Sequence, residues 1–180
     1  ERVVRVEPYH EVPGVIDWSD RTVLPGLIDL HTHLADVGQT SEVALPLKTS
    51  PAATAWLGAL HARQTLAAGF TTARDVGTYR AFTDVALRDA IAAGTVPGPR
   101  MLVAGAYLTC PGGGGELNGV GELPADMRFG VARGPAAIGE RAEALFGGRV
   151  DFLRLIVTGA VLALNTEVGE VELSEEEGRA

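Results

Sequence analysis

Apolar and polar positions along this chain follow two alternating periods. Short apolar, β-prone stretches recur between longer segments with helical spacing and helix-boundary residues. The first stretch is Val3-Val4-Arg5-Val6, followed by the turn signal Pro13-Gly14. A stronger one, Val23-Leu24-Pro25-Gly26-Leu27-Ile28-Asp29-Leu30-His31-Thr32-His33, predicts a strand that ends in two histidines. Ser50-Pro51 then opens a helical pattern, because Ser accepts from the first-turn N–H groups and Pro suits the first helical position; Gly69 supplies the stop. The cycle repeats with a strand over 71–76, a helix over about 82–93 ended by Gly94, and a strand over 101–109. A glycine-rich loop, a helix over about 135–146 ended by Gly147-Gly148, and a strand over 150–157 follow. Ser174 and Glu177 have the spacing of a capping box and predict the start of one more helix. Strands alternating with helices of this length predict βαβ units and a parallel sheet, hence an α/β fold.

His31 and His33 bring the first candidate chemistry. In an extended strand residues two apart project from one face, so both imidazoles can address one point in space. Neutral imidazole favours borderline transition metals such as Zn2+, and a catalytic ion would need further ligands from elsewhere. Cys110 is the only cysteine of the 180 residues, which rules out an internal disulfide and predicts a reducing, cytoplasmic setting. A hydrophobic content of 46% allows one substantial core, and the net charge of −8 argues against a nucleic-acid partner. No apolar run approaches the roughly 18 residues needed to span a bilayer, so no membrane partner is expected.

The His-His strand resembles the first-strand signature of the amidohydrolase superfamily. The similarity continues through Thr71-Thr72-Ala73-Arg74-Asp75-Val76-Gly77-Thr78, Gly98-Pro99-Arg100-Met101-Leu102-Val103-Ala104-Gly105 and Val150-Asp151-Phe152-Leu153-Arg154-Leu155-Ile156-Val157-Thr158-Gly159. Within the superfamily these motifs are most similar to the imidazolonepropionase and Xaa-Pro or Xaa-Arg dipeptidase-like branch. The resemblance implies a (β/α)8 TIM-like barrel, which takes about 250 residues. Four βα units over 23–180 would then be its N-terminal half, and 1–22 the end of a small β-rich domain; the chain looks truncated. It further implies hydrolysis of amide, cyclic-amide or dipeptide C–N bonds by a metal-activated water. His31 and His33 would hold Zn2+ or another divalent transition metal, with His and Asp ligands from strands beyond Ala180. The 180-residue chain alone is expected to be inactive.

Active sites of such barrels lie at the C-terminal strand ends, which makes Asp75, Tyr107 and Arg154 the further pocket candidates. Asp75 is expected to accept N–H groups from a loop or to pair with an arginine. Arg74, on the opposite face, is expected to join an ion pair. Tyr107 suits either substrate contact or burial with a satisfied hydroxyl. Arg154 stands where binuclear relatives carry a carboxylated lysine that bridges two metals; an arginine stays protonated, offers only donors and repels cations. Lys48, the only lysine, sits in the loop after the first strand and cannot replace it. Either one ion is therefore expected, or a site that has lost its metal and uses Arg154 to hold an anionic group. Gly114 occupies the place of a histidine in the dipeptidase-like relatives, and no Gly-Lys-Ser/Thr follows the four glycines, so no phosphate loop is expected. His61 is expected at the edge of a helix–sheet interface, and His10 before the barrel. The Glu167, Glu170, Glu172, Glu175, Glu176 and Glu177 cluster reads as a solvated surface. The expected partner is a small amide or dipeptide. A second chain or a missing C-terminal half would complete the barrel, or the chain would form a homo-oligomer. The rival function is a non-catalytic barrel or half-barrel that acts as a binding or assembly subunit.

Overall fold

The computed structural model describes residues 3, 5–8, 13–36 and 44–180; His10 lies outside the described residues. The described residues form five strands and five helices in the order β1 (Leu27–Thr32), α1 (Leu45–Lys48), α2 (Pro51–Ala67), β2 (Phe70–Asp75), α3 (Thr83–Ala92), β3 (Arg100–Val103), β4 (Tyr107–Leu108), α4 (Pro135–Gly147), β5 (Arg154–Leu155) and α5 (Glu175–Arg179). A 3-10 turn at Ala125–Met127 interrupts the segment between β4 and α4. The strands form two parallel sheets, β1, β2 and β3 side by side in one and β4 beside β5 in the other.

Local chemistry accounts for most boundaries. Ser50 Oγ accepts from Ala53 N at 3.2 Å and Pro51 starts α2, while Gly69 closes it at φ +94°. The capping box at α5 forms in both directions, and Glu177 also accepts from Gly134 N at 2.7 Å, tying α5 to the start of α4. Helix α3 starts differently: Phe82 adopts φ 66° and no side chain caps the helix.

The strand expected over 101–109 is split into β3 and β4. At the break Gly105 takes φ +79°, and Ala106 N bonds back to Ala104 O at 2.9 Å, a geometry no strand residue can hold. The start of α3 locks the break, because Asp84 Oδ2 accepts from Gly105 N at 2.8 Å and Phe82 N donates to Gly105 O at 3.1 Å. The strand expected over 150–157 likewise shortens to Arg154–Leu155. Its first part leaves the ladder because Asp151 reaches across to β3, with its backbone N on Val103 O and its carboxylate on Val103 N.

Among the described residues helices cover one face of the strands. Ala73, Met101, Val103, Leu108, Val85 and Leu145 pack there into the main core. On the open side Leu27, Ile28, Leu30 and Leu102 remain exposed. Strand β1 is an edge, with β2 as its sole strand neighbour among the described residues. Leu145 is completely buried and its Cδ2 would lie 3.2 Å from a Cβ at Gly105, so it fills the space behind the break. Leu145→Ala should lower unfolding free energy by about 3 kcal/mol. A urea midpoint unchanged from the parent would show that the core closes over the missing side chain.

Candidate functional site

The end of β1 brings His31 and His33 beside Tyr107 and Arg154, the first residues of β4 and β5. The tie between β1 and β2 sets the position of the histidines. Val76 N donates to Thr32 O at 2.9 Å, and Asp75 Oδ2 accepts from Leu34 N at 2.5 Å. His33 Nδ1 lies 2.9 Å from Gly77 O and 3.1 Å from Tyr107 Oη. A carbonyl oxygen only accepts, so Nδ1 carries the proton and Nε2 keeps a free lone pair; this is the tautomer a metal-ligating histidine needs.

His31 is in a different state. Its ring centroid is 5.5 Å from that of His33, and its Nε2 is 3.2 Å from Arg154 Nη1. Loss of water around the ring lowers its pKa, and Arg154, His33 and Arg74 lower it further. His33 is shifted down too, chiefly by burial and against the effect of its Gly77 bond, with Arg154 adding to the fall. Both imidazoles therefore favour the neutral form that binds metals.

Tyr107 and Arg154 are register partners in the β4–β5 pair, and the guanidinium carbon lies 6.0 Å from the Tyr107 ring centroid. Burial, then the charges of Asp36 and the neighbouring Tyr79, push the Tyr107 phenol well above its ordinary range, so it keeps its proton. Tyr79 packs edge-on against it at 5.4 Å between centroids.

Asp75 points away from this group. It is fully buried on the helix-covered side, where it holds the Leu34 backbone beside His33. Burial, followed by the nearby Asp84, pushes its carboxyl well above the usual range, against the pull of the Leu34 and Ala35 N–H groups. Among the described residues Arg74 does not form the expected ion pair. Its Nε donates to Leu30 O at 2.7 Å and its guanidinium lies 5.4 Å over Phe152, with no carboxylate beside it among the described residues. The strand parity that separates it from Asp75 puts it on the open side, where its charge reaches His31. His61 holds the Leu34 carbonyl from α2, with Nδ1 at 3.0 Å.

The glycine-rich loop is occupied by the chain's own acceptors. Gly112 N donates to Glu116 Oε2 at 2.7 Å, Gly114 N to Glu172 Oε2 at 2.8 Å, and Gly115 N to Thr109 Oγ1 at 3.3 Å. A Cβ at Gly114 would meet Ala160 N at 2.9 Å, so the backbone leaves no room there for a histidine. Two members of the expected solvated acidic cluster are thus structural: Glu172 in this loop and the buried Glu177 at α5. Pattern reading gave Glu177 its local capping role at Ser174 but missed its bond to Gly134 N and the role of Glu172, because those partners lie far along the chain. Gly77, whose carbonyl orients His33, carries no sequence signal for that role beyond its position after β2.

No group of three or more His, Cys, Asp or Glu side chains suited to a metal ion occurs among the described residues. The two imidazoles fit as two ligands of an ion: His33 presents Nε2 outright, and His31 would do so once Arg154 moves.

Parallel strands backed by helices on one face, with two histidines at the end of β1, have the form of part of an α/β barrel. The amidohydrolase family model matches residues 22–173, and the chain belongs to that family. A solved Xaa-Pro dipeptidase with methionine bound in its active site is 30% identical, with a TM-score of 0.81 over 94% of this chain and 43% of that one. The likeness to a prolidase complexed with N-methylphosphonate-L-proline has 23% identity and a TM-score of 0.74, over 86% of this chain and 38% of that one. For the A. niger ochratoxinase the values are 23% and 0.71, over 85% and 38%. The last two likenesses concern the fold. The chain spans under half the length of these structures. Comparison with curated proteins finds no match.

Because Asp75 is protonated in the folded chain at pH values where the unfolded chain has lost the proton, its effect has a definite sign. Its stabilisation is full below the unfolded value of about 3.9 and declines as pH rises through the folded value. Asp75→Asn should lose less stability than the parent between about pH 4 and about pH 7 in urea unfolding. Equal losses would mean that this carboxyl ionises alike in both states.

Proposed function

We propose that the protein serves metal-dependent hydrolysis of amide C–N bonds, in a small amide, cyclic amide or dipeptide, with His31 and His33 as two ligands of one divalent ion. The observation that carries this is the Gly77 carbonyl on His33 Nδ1, which leaves Nε2 for an ion beside His31. Membership of the amidohydrolase family and the likeness to a Xaa-Pro dipeptidase support it. Zn2+ suits two neutral imidazoles, although other divalent transition ions share that preference. When bound, the ion supplies Lewis acidity toward water and the scissile carbonyl. Gly77 and the protonated Tyr107 hydroxyl orient His33, and Asp75 secures the backbone that follows the histidine.

On this proposal 23–180 is the first half of an eight-stranded barrel and 1–22 the end of a small β-rich domain. The open edge of β1 and its exposed Leu27, Ile28 and Leu30 support a barrel completed by further polypeptide, from the same protein or a second chain. No helix among the described residues is long and apolar enough to cross a membrane, and a cytoplasmic setting belongs to the same proposal.

A second reading, a non-catalytic binding subunit, draws support from Arg154, whose cationic guanidinium sits on His31. Arg154→Lys separates the two: a gain of a second ion together with hydrolysis would mean that the arginine silences the site. For the first reading, the His31→Ala, His33→Ala double variant should lose both bound metal, by elemental analysis, and amide hydrolysis. Turnover retained in that variant would sink it.

A further inference from the structure

We propose that Arg154 is a built-in competitor for the ion at His31, a conclusion that rests on His31 and His33 as metal ligands. The ion binds His31 only when the guanidinium is displaced, and the arginine limits the site to one ion. The polarity of the 3.2 Å contact between Arg154 Nη1 and His31 Nε2 is fixed, because a guanidinium has N–H donors and no acceptor. His31 Nε2 must therefore spend its lone pair on Arg154, and the proton of the neutral ring sits on Nδ1. Neither nitrogen is then left for an ion. His33 differs, since Gly77 occupies its Nδ1 and leaves Nε2 open.

Displacement is feasible because little else holds the guanidinium. Among the described residues Arg154 forms no ion pair, and its guanidinium otherwise lies over the face of Tyr107, at 6.0 Å to the ring centroid. The backbone of Arg154 in β5 is fixed by its register with Tyr107 in β4, so rotation of the side chain alone frees His31. The charge remains nearby after rotation, which disfavours a second cation in the same space.

The test is calorimetric titration with Zn2+ of the protein, Arg154→Met, Arg154→Gln and the His31→Ala, Arg154→Met double variant, each checked for cooperative unfolding. Losing one charge-assisted hydrogen bond predicts about ten- to hundredfold tighter binding in Arg154→Met. Arg154→Gln, which drops the charge but keeps a donor, should fall in between. The gain should vanish in the double variant. Equal affinity in the parent and Arg154→Met overturns the competition, as does a gain that survives the loss of His31. Two ions bound to the unaltered site overturn the one-ion limit. If Arg154→Met binds no Zn2+ at all, the metal-ligand assignment of His31 and His33 itself falls, and the competition with it.

Discussion

The join between the ends of β1 and β2 is the constraint on which the site depends. A parallel ladder bond from Val76 to Thr32 sets the two strand ends level, and the buried Asp75 carboxyl takes the Leu34 N–H one residue past His33. The Gly77 carbonyl then fixes the His33 ring in one tautomer. These contacts come from three consecutive residues, each doing a different task from the same strand end. A single strand could place two histidines on one face, but the neighbouring strand end decides which nitrogen His33 presents, and Arg154 on β5 occupies the one His31 would offer.

The buried acids show how the same fold spends polar groups on architecture. Asp84 closes the break between β3 and β4, Glu177 joins α5 to α4, and Glu172 satisfies the glycine-rich loop. A buried N–H left unbonded is costly, so irregular backbone at strand ends draws carboxylates from distant segments. The glycine loop is consequently closed to outside anions by its own chain. The tight approach of Ala160 to Gly114 makes the small residue a packing requirement as well as a departure from the dipeptidase-like pattern.

Arg154 gives the site a character distinct from a plain histidine pair. Its charge lowers the pKa of both imidazoles, which favours their metal-binding form, while its N–H groups occupy one of the lone pairs concerned. The two effects oppose each other at His31 and not at His33. The asymmetry follows from where β5 pairs with β4, since that register sets Arg154 beside Tyr107.

Much of the α/β order was determined by the sequence itself. The His-His strand, the Ser50-Pro51 start of α2, the glycine stops and the α5 capping box are local signals, written within a few residues and governed by backbone sterics and first-turn hydrogen bonds. The alternation of strand and helix followed from them, and so did the shared face of His31 and His33. Tertiary structure decided the rest. The split at Gly105 depends on Asp84 and Phe82 from α3, the tautomer of His33 on a carbonyl 44 residues away, and the state of His31 on a guanidinium 123 residues away. Such pairings carry no periodicity, because their partners meet only when separate strands are brought level, and that is set by the packing of helices against one face of the sheet.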